Sequence, residues 1–405
     1  MRPLFSTRPG LIMIGVFATL LLFLPVRLYQ TFPSFFSSLF HSSDRSIISL
    51  GSSAFGSLVT TDESQTGDTF GMGGGGQEIA IEEVTVSDNL SITEYYPTTS
   101  YRYVYEGTLP DFSTFPSFVY KRSSTIEAPE SITQAVTKST IGSFDFSRLG
   151  NLTLQNMYLA QEGDQGYAVG VDFTYGSLYI NQNWNTWTED IYTPLTFSDL
   201  PPLEQVIASA DAFLVDFGLD RTGYGKGVIT DADLFTENSL YIPDEAMIVY
   251  PKNLEGYTVW DLYGDPQGMM VGVNLRTLQA TRLSVELDGQ FISSSYPMVT
   301  DEVLVRGVIE RGGLYGWSDP SADLVYTVKV GDPVYVLAHY FLYQEGKTEY
   351  LYLPALYFPV IEVPEGAEVW QDAVVVPLAE EVLREVEEGY PILYDKSTTE
   401  FIIEE

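Results

Sequence analysis

"EGYTVWDLYGDPQGMMVGVNLRTLQATRLSVEL", from Glu255 to Leu287, is the stretch on which the fold turns. It holds three alternating runs, Tyr257–Tyr263, Met269–Leu275 and Ala280–Leu287, parted by turn residues at Gly264–Gly268 and Arg276–Gln279. In the last run Thr281, Leu283, Val285 and Leu287 share one side while Arg282, Ser284 and Glu286 take the other. That period of two marks an antiparallel sheet buried on one face. Such a sheet needs a cover. The residues upstream supply one: Leu203, Val206, Ile207, Ala210, Phe213, Leu214 and Phe217 recur at helical spacing. Ser198 or Asp199 is placed to cap this helix, Pro201 and Pro202 suit its first turn, and Gly218 its stop. The polar side (Glu204, Ser209, Asp211, Asp216) has no pairing that suggests catalysis.

Downstream the pattern recurs. "YPMVTDEVLVRGVIERGG" offers Thr300 as a cap, Val299 and Leu304 as a staple, an apolar stripe of Leu304, Val305, Val308 and Ile309, and Gly312–Gly313 as a stop. The strands "DLVYTVKVG", "PVYVLAHYFLYQ" and "EYLYLPALYFPVIE" follow. Upstream, "EIAIEEVTV", "SYRYVYEG" and "GYAVGVDFTYGSLYINQNW" read as strands, and "SITQAVTKSTIG" as a short helix. The expected fold class is therefore α+β: tandem small modules, each an antiparallel sheet with one packed helix, after an N-terminal transmembrane helix and a flexible linker. The expected segments are a cytoplasmic N-terminus (1–9), a signal anchor (10–27), a Ser/Gly-rich linker (28–76), a β-rich module (77–195), two helix-plus-sheet modules (196–290 and 291–365) and an acidic C-terminal segment (366–405).

The anchor is read from "MRPLFSTRPGLIMIGVFATLLLFLPVRLYQ". Arg2 and Arg8 precede an uncharged run from Pro9 to Val26, about long enough for the hydrocarbon core, and no small-x-small cleavage site follows it closely. Basic residues ahead of the run favour a cytoplasmic N-terminus and place the bulk of the chain outside the cell membrane as a single-pass protein. From His41 to Gln77 Ser, Gly and Thr dominate, giving a tether with a reach of roughly 30 to 35 Å.

Composition excludes several classes. The 55 Asp and Glu against 20 Lys and Arg give a net charge of -35, with no basic stripe to engage a nucleic acid. The absence of Cys removes disulfides, thiolate nucleophiles and zinc-thiolate sites. Of the two histidines, His41 lies in the tether and His339 in the strand "YVLAHYFLY", and no G-x-S-x-G occurs. The acids Asp231, Asp233 and Glu237 in "TDADLFTEN" lack the glycine and the terminal Glu of a calcium loop. "GGGG" at Gly73 has no phosphate-binding lysine. No catalytic residue, metal site or cofactor is expected.

The order of helix, glycine stop and hairpin over Leu203–Leu287, ending in "VNLRTLQATRLSVE", resembles the PepSY family. The later "YPMVTDEVLVRGVIERGG" through "EYLYLPALYFPVIE" is similar to the extracytoplasmic domains of YycI-type regulatory proteins. These resemblances imply an extracytoplasmic interaction or regulatory role beside a membrane protein, and they transfer no catalytic residue.

Binding candidates are aromatic. "NQNWNTWTED" sets Trp184 and Trp187 among Asn181 and Asn183, a pattern that serves either to stack a sugar or peptide or to lock two modules together. "GLYGWSDP" presents Tyr315 and Trp317 with the same two readings. The expected function is that of a membrane-anchored, non-enzymatic interaction or regulatory protein of the cell envelope, its partner another envelope or membrane protein. The alternative is a surface carbohydrate-binding or glycoside-hydrolysing protein, for which the many carboxylates and the Trp-Asn stretch are the relevant features.

Overall fold

A computed structural model of the chain describes residues 47–59, 98–122, 130, 133–134, 138, 140–141, 144–148, 152–183, 194–287, 290–316, 318–319, 321–344 and 347–388. In chain order the principal elements are β1 (Thr99–Val104), β2 (Phe118–Arg122), β3 (Asn156–Ala160), β4 (Tyr167–Asp172), β5 (Ser177–Gln182), α1 (Leu203–Asp216), β6 (Val228–Ile229), β7 (Glu245–Pro251), β8 (Gly268–Asn274), β9 (Ala280–Glu286), α2 (Glu302–Glu310), β10 (Leu324–Val330), β11 (Val334–Gln344), β12 (Lys347–Glu362), β13 (Ala373–Pro377) and α3 (Glu380–Glu388). They fall into two compact units. Unit 1 comprises the described residues of Met1–Ser49, Arg122–Val259 and Pro266–Ile292, and unit 2 those of Leu50–Lys121, Trp260–Asp265 and Ser293–Glu405.

This architecture corrects the expected α+β tandem of small helix-packed modules. Among the described residues strand accounts for 41% and helix for 16%, so this part of the protein is mostly β. The physical reason is pairing between distant segments. In unit 1, β5 pairs with β9 through Ile180↔Leu283 and Leu178↔Val285, which merges strands expected in two modules into one sheet. In unit 2, β1 runs parallel to β10 from Thr99↔Leu324 to Val104↔Lys329. Alternation along a chain reveals strands but does not say which strand lies beside which.

Unit 1 is a seven-stranded sheet in the order β3-β4-β5-β9-β8-β7-β6, antiparallel at every pairing. Its covered face brings Val171, Ile180, Val271 and Leu283 against Val206, Ala210, Phe213 and Leu214 of α1. The helix ends as the glycine signalled. Gly218 takes φ +67, its amide donates to the Val215 carbonyl (3.0 Å), and Leu219 N–H reaches the Leu214 carbonyl (2.9 Å). The start differs from the expectation. Asp199 accepts from the Thr196 amide and hydroxyl and closes a separate short turn at Phe197–Asp199, so α1 begins after Pro202. Asp211 on the polar side is structural: it accepts from the Tyr250 hydroxyl of β7 (2.8 Å) and pairs with Arg221.

Unit 2 is organised around β12. It pairs antiparallel with β11 from Val334↔Tyr357 to Gln344↔Lys347, with β13 from Ala355↔Pro377 to Pro359↔Ala373, and with β2 at Tyr352↔Tyr120. Leu304, Val305, Val308 and Ile309 of α2 and Val382 and Leu383 of α3 join the same core as Val336, Leu353 and Val375. Asp301, not Thr300, caps α2, accepting from the Val303 amide at 2.9 Å. Its exit repeats that of α1, with Gly312 N–H to Ile309 O (2.8 Å) and Gly313 N–H to Val308 O (2.9 Å).

Residues 50–59, which fall within the expected linker, lie along unit 2. Leu50 and Ser53 donate to the carbonyls of Ser293 and Ser295 at 2.7 and 2.9 Å. Leu58 is fully buried, and its carbonyl accepts from the Tyr340 hydroxyl at 3.0 Å. Among the described residues no helix is long and apolar enough to cross a membrane, and the expected anchor at 10–27 lies outside them. Most of "SITQAVTKSTIG" lies outside them as well.

Candidate functional site

Three turns of unit 2 share a local pattern: an inward aliphatic residue followed at once by an outward aromatic one. The pairs are Leu262–Tyr263, Leu314–Tyr315 and Val369–Trp370. Leu262 and Leu314 are core residues and Val369 packs against that core. Each aliphatic side chain holds its turn down, which forces the next side chain into water. Tyr263, Tyr315 and Trp370 are accordingly 46%, 39% and 67% exposed. The turns bring them into one cluster, with ring centroids 5.7 Å apart for Tyr263–Tyr315 and 5.5 Å for Tyr263–Trp370, inclined at 33° and 56°.

The backbone holds the cluster in place. The Asp261 carboxylate accepts from the amides of Tyr263 and Asp265, each at 2.9 Å, which shapes the first turn. Gly264, at φ +98, lies so close to the third turn that a Cβ there would stand 3.0 Å from the Ala373 carbonyl oxygen. Only glycine suits both conditions. Gln371 is buried, and its Nε2 donates to the carbonyls of Gly312 (3.2 Å) and Ala373 (3.3 Å), which ties the turn after α2 to the turn before β13. The Tyr101 hydroxyl fastens the same turn from β1 by donating to Glu368 O at 2.8 Å.

Acids share the turns that carry two of the rings. Asp265 follows Tyr263 by two residues and Asp372 follows Trp370 by two, and both are exposed. Both act on the Tyr357 phenol, which is held above its ordinary value first by burial and then by the charges of Asp372 and Asp265. The Tyr357 ring packs on Trp260 with centroids 4.2 Å apart. The basic residue nearest Tyr315 in the turn, Arg311, directs its Nε back to Gly307 O of its own helix (3.4 Å).

The structure places the other sequence candidates elsewhere. Asn181 lies on β5 in unit 1, in register with Ala168 and Arg282 and exposed on the face away from α1. Asn183 closes the β4–β5 end, donating its side chain to Gln161 O (3.1 Å) and its amide to Gly166 O (2.7 Å). Trp184, Trp187 and Trp317 lie outside the described residues. Tyr315 thus joins Tyr263 and Trp370, which sequence reasoning missed, and not the asparagines. The missed signal is the aliphatic-aromatic step inside a turn, visible at each place but meaningless until the turns meet.

His339 is nearly buried in β11 among the rings of Phe341, Tyr350 and Tyr352, at 4.8 to 5.4 Å between centroids. Among the described residues no group of three His, Cys, Asp or Glu side chains is placed to hold a metal ion. No protein-family model matches the chain, and no curated protein matches it.

Proposed function

We propose that the chain is a membrane-anchored, extracytoplasmic interaction or regulatory protein of the cell envelope, and that the Tyr263–Tyr315–Trp370 cluster is where its partner protein docks. The observation that carries the reading is the cluster itself. Three large rings stand side by side, each at least 39% exposed, on turns held by a buried glutamine and an obligatory glycine. Contiguous exposed aromatic area of this kind is what interfaces use, because flat rings give contact area at small entropic cost. The anchoring is taken from the N-terminal sequence, and the resemblance to PepSY and YycI-type modules points to the same setting.

The test is co-purification of the full-length chain from its own membranes. Trp370→Ala is expected to reduce recovery of a specific membrane or envelope protein at least about tenfold, while Tyr158→Ala, an exposed ring in unit 1, leaves recovery unchanged. Recovery indifferent to Trp370 contradicts the reading. A second reading has one observation in its favour: Tyr263 and Tyr315 incline by only 33°, which suits stacking on a sugar ring. Retention on a glycan column abolished by Tyr263→Ala supports that reading instead.

A further inference from the structure

We infer that the aromatic cluster recognises a basic protein segment, and that an arginine or lysine side chain of the partner seats on its rings. The inference rests on the docking role proposed above and names the chemistry of the occupant.

Three observations lead to it. The face of an aromatic ring is electrostatically negative, so exposed rings attract cations, and arginine above all. The turns that carry the rings also carry Asp261, Asp265 and Asp372, of which Asp265 and Asp372 are exposed. In those turns Arg311 is the one basic residue, and its Nε donates to Gly307 O of the preceding helix (3.4 Å). The cluster is therefore a patch of negative ring faces within a negative local field, on a chain of net charge -35 that draws basic partners from a distance. Geometry argues against the flat alternative. Trp370 is inclined at 56° to Tyr263, so the three rings do not form a single floor for a row of sugars, whereas a compact planar guanidinium needs only one or two ring faces and a nearby carboxylate.

The experiment uses the full-length chain in a zwitterionic detergent and measures fluorescence anisotropy with a labelled Gly-Arg-Gly-Arg-Gly peptide. A second peptide replaces both arginines by citrulline, which keeps the shape and loses the charge. Binding of the arginine peptide is expected to be about tenfold tighter than that of the citrulline peptide. Trp370→Ala, which changes no charge, is expected to lose most of that difference, and Trp370→Phe to retain it. Asp265→Asn combined with Asp372→Asn weakens binding and flattens its salt dependence. Asp233→Asn combined with Glu237→Gln, which removes the same charge from unit 1, leaves binding unchanged. Equal binding of the two peptides, indifference to Trp370→Ala, or an equal loss from the unit 1 pair overturns the inference, as does chitohexaose binding at the cluster while the arginine peptide fails. The two ideas fail separately: a Trp370-dependent partner recovered from membranes, with no preference for arginine over citrulline, removes the basic segment and leaves the docking site.

Discussion

Gln371 is buried at 6% exposure between two residues that face water, Trp370 and Asp372. A buried amide is retained where its donors are used, and here Nε2 serves the Gly312 and Ala373 carbonyls. Gln371→Leu fills similar space and leaves both carbonyls without that donor. The expected loss of stability is about 1–3 kcal/mol, read as a shift in the denaturant midpoint, with a matching loss of co-purification because Tyr315 and Trp370 are no longer tied. An unchanged midpoint and unchanged recovery contradict the account of how the site is built. At this scale Tyr315 was legible, being a bulky ring just after a glycine stop. Tyr263 and Trp370 were not: Tyr263 closes the alternating run from Tyr257 and reads as a strand residue, whereas the strand stops at Trp260, and the partners of both rings arrive from distant parts of the chain.

Helices show how far local signals reach. Both glycine exits, at Gly218 and at Gly312–Gly313, were legible because a left-handed residue after an apolar stripe has one economical use. The starts were misread. Thr300 and Asp301 are adjacent and both are good caps by residue type, so the start of α2 moves by one residue, whereas at α1 Asp199 closes a separate turn and the helix starts only after Pro202. A direct check follows. Asp301→Ala is expected to cost about 1 kcal/mol in a thermal or denaturant melt, and Thr300→Ala to stay within a few tenths. The reverse order restores the cap read from the sequence. The strands Gly268–Asn274 and Ala280–Glu286 were likewise close to their expected bounds, whereas pairing such as Leu283↔Ile180 has no local signature.

For the molecule as a whole, stability rests on two β cores with buried tyrosines. Burial pushes the phenols of Tyr103 in unit 2 and Tyr167 in unit 1 from 10.0 up to about 12, with the neighbouring Tyr101 adding to the first. The folded chain then keeps protons that the unfolded chain has released. Stability present below pH 10 is therefore lost as pH rises from about 10 towards 12. Melting temperature is expected to fall steeply across that interval, and Tyr167→Phe to blunt the fall; a flat profile to pH 12 contradicts it. The mostly-β architecture was hidden for the same reason as the site: alternation marks strands, and topology decides that Thr99–Val104 lies beside Leu324–Val330. The docking surface we propose is made by three separate turns. Its most direct measurement is photo-crosslinking in intact cells, with a benzophenone side chain placed singly at Tyr263, Tyr315, Trp370 and, as a control, Tyr158. The three cluster positions are expected to yield one and the same protein adduct and Tyr158 none; different adducts from the three positions, or the same adduct from Tyr158, would rule out a single docking surface.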